Sequence, residues 1–281
     1  MYSVALRTFI RFAEGQGHFV SLPSTLSQVI DFISYLSLNN FASSTIKSYI
    51  SALSYKSKIS NATDYTDFLV VKKMLSGLTR MDNRRDLRLP VTFDILVKIV
   101  HALPYICYSN FESVLFGSIY TLAIYAFLRV GEVVQVLGHD IGHALQLHHI
   151  KFYPNHVELY IPHSKTDQQG YGHIIVVPSS NKDICPVRAL KQYNCIRPKF
   201  QGSFFRHVNG VPVTRYQFTK VLKTALSHCN MAPGRFTSHS FRIGAATSAA
   251  LAGWSDSQIS ECGRWKSNAF RRYIRIPTDK L

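Results

Sequence analysis

Acidic residues are scarce in this chain: 16 Asp and Glu stand against 32 Lys and Arg among 281 residues, which gives a formal net charge of +16. Cysteines are also few, and the five of them are odd in number and form no Cys-x-x-Cys pair. That pattern argues against a disulfide framework and against a cysteine-rich zinc site. No apolar run approaches the ~18 residues needed to cross a bilayer, since the longest, Ile119 to Leu128, stops at Arg129. The sequence therefore predicts a soluble protein with no membrane partner.

Motifs for a bound cofactor or metal are missing as well. There is no phosphate-binding P-loop, no His-Glu-x-x-His sequence and no acidic metal cluster, so neither a cofactor nor a metal is predicted. The closest candidate for a metal site is the pair His139 and His143, followed by His148 and His149. Two glycines interrupt this stretch, and metal ligation needs donors that converge. These histidines are better interpreted as polar surface or DNA-facing residues.

The excess of positive charge is spread along the chain. Residues 1–80 carry eight Lys and Arg against four acids, and residues 91–281 carry 21 against ten. Hydrophobic residues make up 46% of the chain, which is enough for buried cores and excludes a disordered basic tail. A folded basic surface suits the phosphate backbone of a nucleic acid. The alternative is a soluble basic protein whose charge serves no polyanion, but the composition favours a nucleic acid as the partner.

The first 80 residues are predicted to form a small helical domain. Apolar residues recur at helical spacing in four segments: Val4 to Ala13, Leu26 to Leu36 with Ser24 as N-cap, Ile46 to Leu53, and Phe68 to Leu78. Residues 81–90 then lack an apolar period, hold three arginines and end in a proline. This composition predicts a basic linker.

Residues 91–281 show an α+β pattern. Helices are expected over Phe93 to Leu103 with Thr92 as cap, over Glu112 to Leu128, and again from Pro186 onward, with Thr214 capping one and His239 to Ala252 forming another. Three strand-like runs lie between them: Leu145 to Phe152, His156 to Ile161 and His173 to Val177. Turn residues separate these runs, as in an antiparallel meander. The fold class predicted is mainly α with a small antiparallel β-sheet.

Three segments carry residues suited to chemistry on a phosphate. In the first, Arg129 ends an apolar helix and requires a partner, either Glu132 or a bound phosphate. In the second, His239 and Arg242 are three residues apart and so share one helical face near a helix N-terminus. The third, residues 263–275, is a basic segment presenting Tyr273. Each alone has a plainer explanation as an ion pair, a helix cap or a core aromatic.

Together, in this order, the segments resemble the catalytic domain of tyrosine recombinases, the integrase family that shares its fold and chemistry with type IB topoisomerases. That family uses an arginine, a lysine on a β-hairpin, His-x-x-Arg, a His or Trp, and a nucleophilic tyrosine. The resemblance assigns these places to Arg129, Lys165, His239 with Arg242, Trp265 and Tyr273, with Glu132 in support. It covers the whole chain, because the family also has an N-terminal helical domain that clamps DNA. Residues 1–80, 81–90 and 91–281 then become the DNA-binding domain, the linker and the catalytic domain.

The resemblance implies a site-specific recombinase that cuts and rejoins duplex DNA through a 3′-phosphotyrosine intermediate. Tyr273 would be the nucleophile, Lys165 the general acid for the leaving 5′ oxygen, and His239 a candidate base. Arg129, Arg242 and the indole of Trp265 would stabilise the charge on the phosphate. No metal or nucleotide is then required. Two alternatives stay open: a DNA-binding module without catalysis, and a type IB topoisomerase.

The sequence of residues 263–275 is most similar to the corresponding segment of recombinases of eukaryotic transposons of the Crypton and DIRS or Ngaro types. This similarity implies a role in integration or excision of a mobile element. It also implies a nuclear location, or a cytoplasmic one if the source is not eukaryotic. The family's synapse further implies a homotetramer on paired DNA sites, with a free monomer also compatible.

Overall fold

A computed structural model describes residues 2–17, 22–84, 86–138, 141–164, 167 and 169–276, of which residue 141 is described for its backbone only. The chain divides into two compact units, Met1–Asp86 and Leu87–Leu281. Among the described residues, no helix has both the length and the apolar character that a bilayer crossing requires.

In its described residues, the first unit is built mainly from four amphipathic α-helices. They are α1 (Tyr2–Gly15), α2 (Leu26–Leu38), α3 (Ser43–Ile59) and α4 (Leu69–Met81). Their apolar faces meet around the buried rings of Phe9 and Phe32, which pack edge to face with centroids 5.1 Å apart. The four helices agree with the sequence pattern, but the cap of α2 does not. Thr25, not Ser24, caps it, because the Thr25 hydroxyl accepts from the Gln28 amide while the Gln28 side chain accepts from the Thr25 amide.

The segment predicted as a linker is attached to both units. Asp82 accepts a hydrogen bond from the Ser43 amide (2.8 Å) at the start of α3, and Arg84 donates to the Asn40 carbonyl (2.8 Å). Farther on, the Leu89 amide donates to the Arg235 carbonyl (2.8 Å), which belongs to the second unit. The boundary between Asp86 and Leu87 therefore falls inside the predicted linker, 81–90.

In its described residues, the second unit is mainly helical with a small sheet. Its helices are α5 (Phe93–Ile106), α6 (Asn110–Tyr125), α7 (Val130–Val133), α8 (Pro186–Ile196), α9 (Arg215–His228), α10 (Ser240–Leu251) and α11 (Asp256–Gly263), and a 3₁₀ helix follows at Asn268–Tyr273. α6 is buried almost all round and packs against α5, α8 and α10. A helix apolar on every side belongs in a core. The caps expected at Thr92 and Thr214 are present.

The sheet is antiparallel, as predicted, with strands in chain order. It consists of β1 (Ile150–Phe152), β2 (His156–Ile161) and β3 (His173–Pro178), with Leu159 opposite both Ile150 and Ile175. The strand predicted to begin at Leu145 begins only at Ile150. Residues 147–149 form a 3₁₀ turn instead, closed by the His149 amide donating to the Gln146 carbonyl (3.0 Å).

The small residues of α10 let the helix approach the chain just before α5. A Cβ at Gly244 would lie 1.7 Å from the Val91 carbonyl oxygen, and the Val91 amide donates to the Ser240 carbonyl (2.9 Å). On another side, α10 packs on α11 and on the 3₁₀ helix. There Ala245, Ala246 and Ala249 form an apolar cluster with Phe127 and Phe270. This cluster supports the candidate site.

Candidate active site

The turn that follows α6 supplies one wall of the site. The sequence predicted a helix through Leu128, but α6 ends at Tyr125 because Phe127 adopts the left-handed conformation (φ 50°). The Leu128 amide then donates to the Ala123 carbonyl (3.0 Å) and the Phe127 amide to the Ile124 carbonyl (3.1 Å), which is a Schellman turn. A glycine usually occupies this position. The turn directs the Phe127 carbonyl toward two arginines.

A second turn of the same kind follows α11. Here Arg264 is left-handed (φ 55°, ψ 46°), and the Trp265 amide donates to the Ser260 carbonyl (2.9 Å). The indole ring of Trp265 folds back onto Gly263, where a Cβ would lie 1.5 Å from the ring. The site thus lies between two helix ends, each with a non-glycine residue in the left-handed region.

Arg242 joins these two turns from the first turn of α10. Its side chain is 1% exposed, with Nη1 donating to the Phe127 carbonyl and Nη2 to the Gly263 carbonyl. The Trp265 ring covers the guanidinium, whose central carbon lies 4.2 Å from the ring centroid. Burial, together with the charge of Arg129, lowers the pKa of Arg242 to about 9. The group therefore remains charged at neutral pH.

Glu132 is a buried carboxylate shared by two arginines. Oε1 accepts from Arg129 Nη1 (2.9 Å), and Oε2 accepts from Arg264 Nη2 (2.8 Å) and from the Arg129 amide (2.8 Å). Burial raises the pKa of Glu132, but Arg264 and Arg129 lower it by more, so the net pKa lies below the usual value. Glu132 accordingly stays ionised and fixes Arg129, whose side chain is still 22% exposed.

Tyr273 ends the 3₁₀ helix and lies against this cluster. Its ring centroid is 5.1 Å from that of Trp265 and 6.0 Å from the guanidinium carbon of Arg242. The Thr247 hydroxyl of α10 donates to the Tyr273 carbonyl (3.2 Å), which ties the segment to the helix that carries Arg242. A phenol is thus placed beside Arg242 and the ring that covers it.

His239 immediately precedes α10 and reaches solvent, although neighbouring protein covers part of it. Desolvation by the surrounding protein lowers the pKa of His239, and the positive charges of Arg88, Arg215, Arg242 and Arg129 lower it further. The imidazole is therefore neutral at pH 7 and able to accept a proton. The four arginines also show that the field around the site is positive, as an anion-binding site requires.

Lys165 lies outside the described residues, and so does Thr166. The described parts of the β2–β3 turn are organised by Asp167, which accepts from the amides of Gly172 (2.7 Å), Gly170 (3.0 Å) and Tyr171 (3.3 Å). These backbone hydrogen bonds hold the pKa of Asp167 below its usual value. Hydrogen bonds to Asp167, which follows the predicted lysine by two residues in the sequence, thus order the described part of the turn.

Comparisons with known proteins show which fold this architecture resembles. No family model matches the chain. A 118-residue segment is 32% identical to an integrase/recombinase XerD homolog of Selenomonas ruminantium, covering 38% of this chain and about a third (33%) of that relative. The XerH recombinase bound to difH DNA in a post-cleavage complex superposes with a TM-score of 0.64 at 12% identity, over 100% of this chain and 76% of that one. The Tn1549 transposon integrase in complex with circular intermediate DNA superposes with a TM-score of 0.63 at 14% identity, over 99% of this chain and 91% of that chain.

The chain has the tyrosine-recombinase fold. A lambda integrase dimer bound to a core site also superposes, with a TM-score of 0.62 at 16% identity over 98% of this chain and 70% of the other. The predicted fold class, mainly helical with a small antiparallel sheet, is confirmed.

Within this tyrosine-recombinase fold, the structure brings together most of the predicted site residues. Arg129, Glu132, Arg242, Trp265 and Tyr273 form one connected cluster. His239 stands at its edge, within the field of the same arginines. The ring of Trp265 packs on Arg242 and Tyr273, so its observed contacts are those of a packing residue. The roles of all these residues in chemistry remain predictions.

Three arginines of the site were not predicted from the sequence: Arg264, Arg88 and Arg215. Arg264 lies in the basic segment 263–275, but nothing in the sequence around it indicates that it forms a buried ion pair. Arg88 belonged to the predicted linker, and hydrogen bonds of the neighbouring Leu89 and Val91 amides bring it to the start of α10. Arg215 was adjacent to the predicted cap Thr214, which is the only signal that could have directed attention to it.

The histidine stretch does not form a metal site among the residues described. His139 lies outside them, and His143 packs against His163 with ring centroids 4.9 Å apart. No group of three or more His, Cys, Asp or Glu suited to a metal occurs in the described part of the chain. Burial of His149, next to His148 and His163, lowers its pKa to about 4, so that this histidine is neutral.

Proposed function

We propose that this chain is a DNA strand transferase, a site-specific recombinase that cuts and rejoins duplex DNA through a 3′-phosphotyrosine intermediate. The observation that carries the proposal is the placement of Tyr273 against a buried arginine cluster, with its ring 6.0 Å from the guanidinium carbon of Arg242. A phenol nucleophile and fixed cationic donors are what attack on a phosphodiester requires. The curated relative is matched over only a third of its length, so the activity is inferred from this site.

The arginines provide the charge that the transition state needs. Negative charge builds on the non-bridging oxygens as the phosphorus is attacked, and donors that are already oriented stabilise it without reorganisation. Glu132 holds Arg129 in place, and the Phe127 and Gly263 carbonyls hold Arg242. The forked guanidinium of Arg129, which is 22% exposed, suits a phosphate, whereas the buried Arg242 contributes its positive charge from beneath the surface.

Two proton transfers accompany the exchange of bonds. The Tyr273 hydroxyl oxygen forms a bond to phosphorus while the bond to the 5′ oxygen breaks. The phenol proton goes to a base, and His239 is suited to accept it because its lowered pKa leaves the ring neutral. The 5′ oxygen takes a proton from the general acid, assigned to Lys165. Attack by a 5′ hydroxyl of another strand reverses these steps and rejoins the DNA.

Duplex DNA is the proposed partner and a mobile element the proposed setting. The net charge of +16 gives a surface that attracts phosphates. The neighbours named above include a transposon integrase and a recombinase, each in complex with DNA, which supports this assignment.

The type of mobile element, the location and the oligomeric state are proposed from the sequence alone. The segment that runs from Gly263 to Arg275 supports an element of the eukaryotic Crypton or DIRS type, and with it a nuclear location and a tetramer on paired sites. Mass photometry with and without a duplex that carries two sites tests the tetramer. A particle of one chain per site at every concentration would contradict it.

Covalent capture on randomised DNA tests the activity and identifies the target sequence in the same experiment. The protein is incubated with a pool of nicked duplexes of randomised sequence, and DNA that stays attached to protein in denaturing detergent is recovered and sequenced. We expect an enriched sequence with the parent protein and none with Tyr273→Phe, which loses one hydroxyl from a large basic surface and should still bind DNA. An adduct that persists in Tyr273→Phe would move the nucleophile elsewhere.

Relaxation of a supercoiled plasmid separates this function from that of a topoisomerase. A recombinase acts on paired specific sites, so a plasmid without the captured sequence should stay supercoiled. Rapid relaxation of any plasmid at low protein concentration would favour the topoisomerase.

A further inference from the structure

Arg264 occupies a backbone position that glycine would normally take. Its left-handed conformation (φ 55°, ψ 46°) is fixed by its own amide donating to the Glu261 carbonyl (2.9 Å) and by the Trp265 amide donating to the Ser260 carbonyl (2.9 Å). This conformation is unfavourable for a residue with a Cβ. An arginine here thus points to a use for its side chain.

The Arg264 side chain leads back to Arg129. It is 8% exposed, and Nη2 lies 2.8 Å from Glu132 Oε2 and 3.4 Å from the Phe127 carbonyl, which also accepts from Arg242. The other carboxylate oxygen of Glu132 is 2.9 Å from Arg129 Nη1. Glu132 is therefore held between two guanidiniums, and Arg129 is the more exposed of them.

The charges of this trio explain why a second arginine is needed. If Glu132 paired with Arg129 alone, its negative charge would cancel the positive charge that a phosphodiester should meet. Arg264 offsets the carboxylate, so that the trio carries one net positive charge and Arg129 remains both oriented and attractive to an anion. The lowered pKa of Arg242, to which Arg129 and Arg264 contribute, agrees with a positive field.

We propose that Arg264 is a positioning residue of the strand-transfer site: through Glu132 it orients Arg129 and keeps its charge available to the phosphodiester. This inference rests on the proposed function. It gives Arg264, whose side chain is only 8% exposed, a part in the rate of cleavage rather than in the affinity for DNA.

Substitutions that suit the left-handed backbone add no backbone strain to the loss of the ion pair with Glu132, and circular dichroism checks that each variant is folded. Arg264→Asn and Arg264→Gly both tolerate this conformation, and Arg264→Lys retains the charge without the fork. Arg271→Asn is the matched control, because Arg271 is an exposed arginine of the same segment, paired with Asp256 (2.7 Å). On the captured nicked duplex in single turnover, we expect adduct formation to slow by up to about 100-fold in Arg264→Asn and Arg264→Gly, the cost of displacing a positioned group by about 1 Å. Arg264→Lys should be intermediate, the control should match the parent, and duplex affinity should be unchanged.

A double variant distinguishes a positioning role from a merely structural one. If Arg264 acts through Arg129, adding Arg264→Asn to Arg129→Ala should cause no further loss of rate, because the two residues form one unit. Multiplicative losses, or a rate in Arg264→Asn equal to that of the control, would overturn the proposal.

A readout without activity separates this inference from the proposed function. In ¹⁵N NMR spectra the Nε–H signal of Arg129, assigned by its loss in Arg129→Lys, should be resolved in the parent and should collapse toward the signals of exposed arginines in Arg264→Asn. An unchanged Arg129 signal would overturn the positioning role. Absence of any adduct in the parent would instead overturn the proposed function, and the NMR comparison would still decide the role of Arg264.

Discussion

Replacing Glu132 by glutamine removes the one carboxylate that joins Arg129 to Arg264. The structure allows the cost to be worked out: the side chain is 5% exposed and accepts three hydrogen bonds of 2.8, 2.8 and 2.9 Å from charged or backbone N–H groups. Breaking a buried ion pair by removing one partner costs about 3–5 kcal/mol, because the remaining charges stay buried without compensation. For a unit of this size, 1 kcal/mol corresponds to about 2–4 °C, so Tm should fall by about 6–20 °C.

Thermal unfolding followed by circular dichroism measures this loss, and Asp256→Asn is the control. Asp256 forms an ion pair with Arg271 whose side chains are 55% and 65% exposed, and such a pair contributes about 0–1 kcal/mol. The Glu132→Gln variant should therefore melt well below the control. A Tm within about 2 °C of the control's, a margin of about 1 kcal/mol, would refute the buried network.

The pH dependence of the same variant gives an independent check. The folded pKa of Glu132 is lower than its usual value of 4.5, so the stability from this group is fully present above about pH 4.5 and is lost as pH falls through the folded pKa. The difference in Tm between parent and Glu132→Gln should accordingly shrink below pH 4.5. A difference that grows on acidification would contradict the direction of the pKa shift.

Three further predictions concern the reaction and DNA binding. Lys165→Ala should slow cleavage by roughly 10²–10⁴-fold on ordinary DNA but hardly at all on DNA with a 5′-bridging sulfur, which leaves without a proton; equal defects on both would make Lys165 a phosphate-binding residue. Cleavage should survive EDTA, because arginines stabilise the charge, and a strict need for a divalent ion would contradict this. Removing residues 1–86 should leave a folded second unit by circular dichroism that binds duplex DNA orders of magnitude more weakly and with a smaller salt dependence; equal affinity would contradict a DNA-binding first unit.

The elements that the sequence predicted well are those with strong local signals. The apolar periodicity of α2 and α3 and the caps at Thr92 and Thr214 each depend on neighbouring residues, and the helices form where expected. The strand that was too long, from Leu145, shows the limit of such signals. An apolar run does not reveal that the Gln146 amide is paired with His149 Nδ1 (3.1 Å), which favours a 3₁₀ turn.

The site could be predicted in its members but not in its connections. Chain order and residue type pointed to Arg129, Arg242 and Tyr273, because those residues suit a phosphate. The ion pair of Glu132 with Arg264 joins residues 132 positions apart, and no local pattern reports it. The left-handed turns at Phe127 and Arg264 were likewise missed, since neither has a glycine at the left-handed position itself.

Mass spectrometry of the covalent adduct identifies the nucleophile and the chemistry of its bond to DNA together. After nuclease and protease digestion, we expect a peptide that carries a nucleotide on Tyr273 through its 3′ phosphate, with a free 5′ hydroxyl on the released strand. A nucleotide on any other residue, or one joined through its 5′ phosphate, would contradict strand transfer by Tyr273.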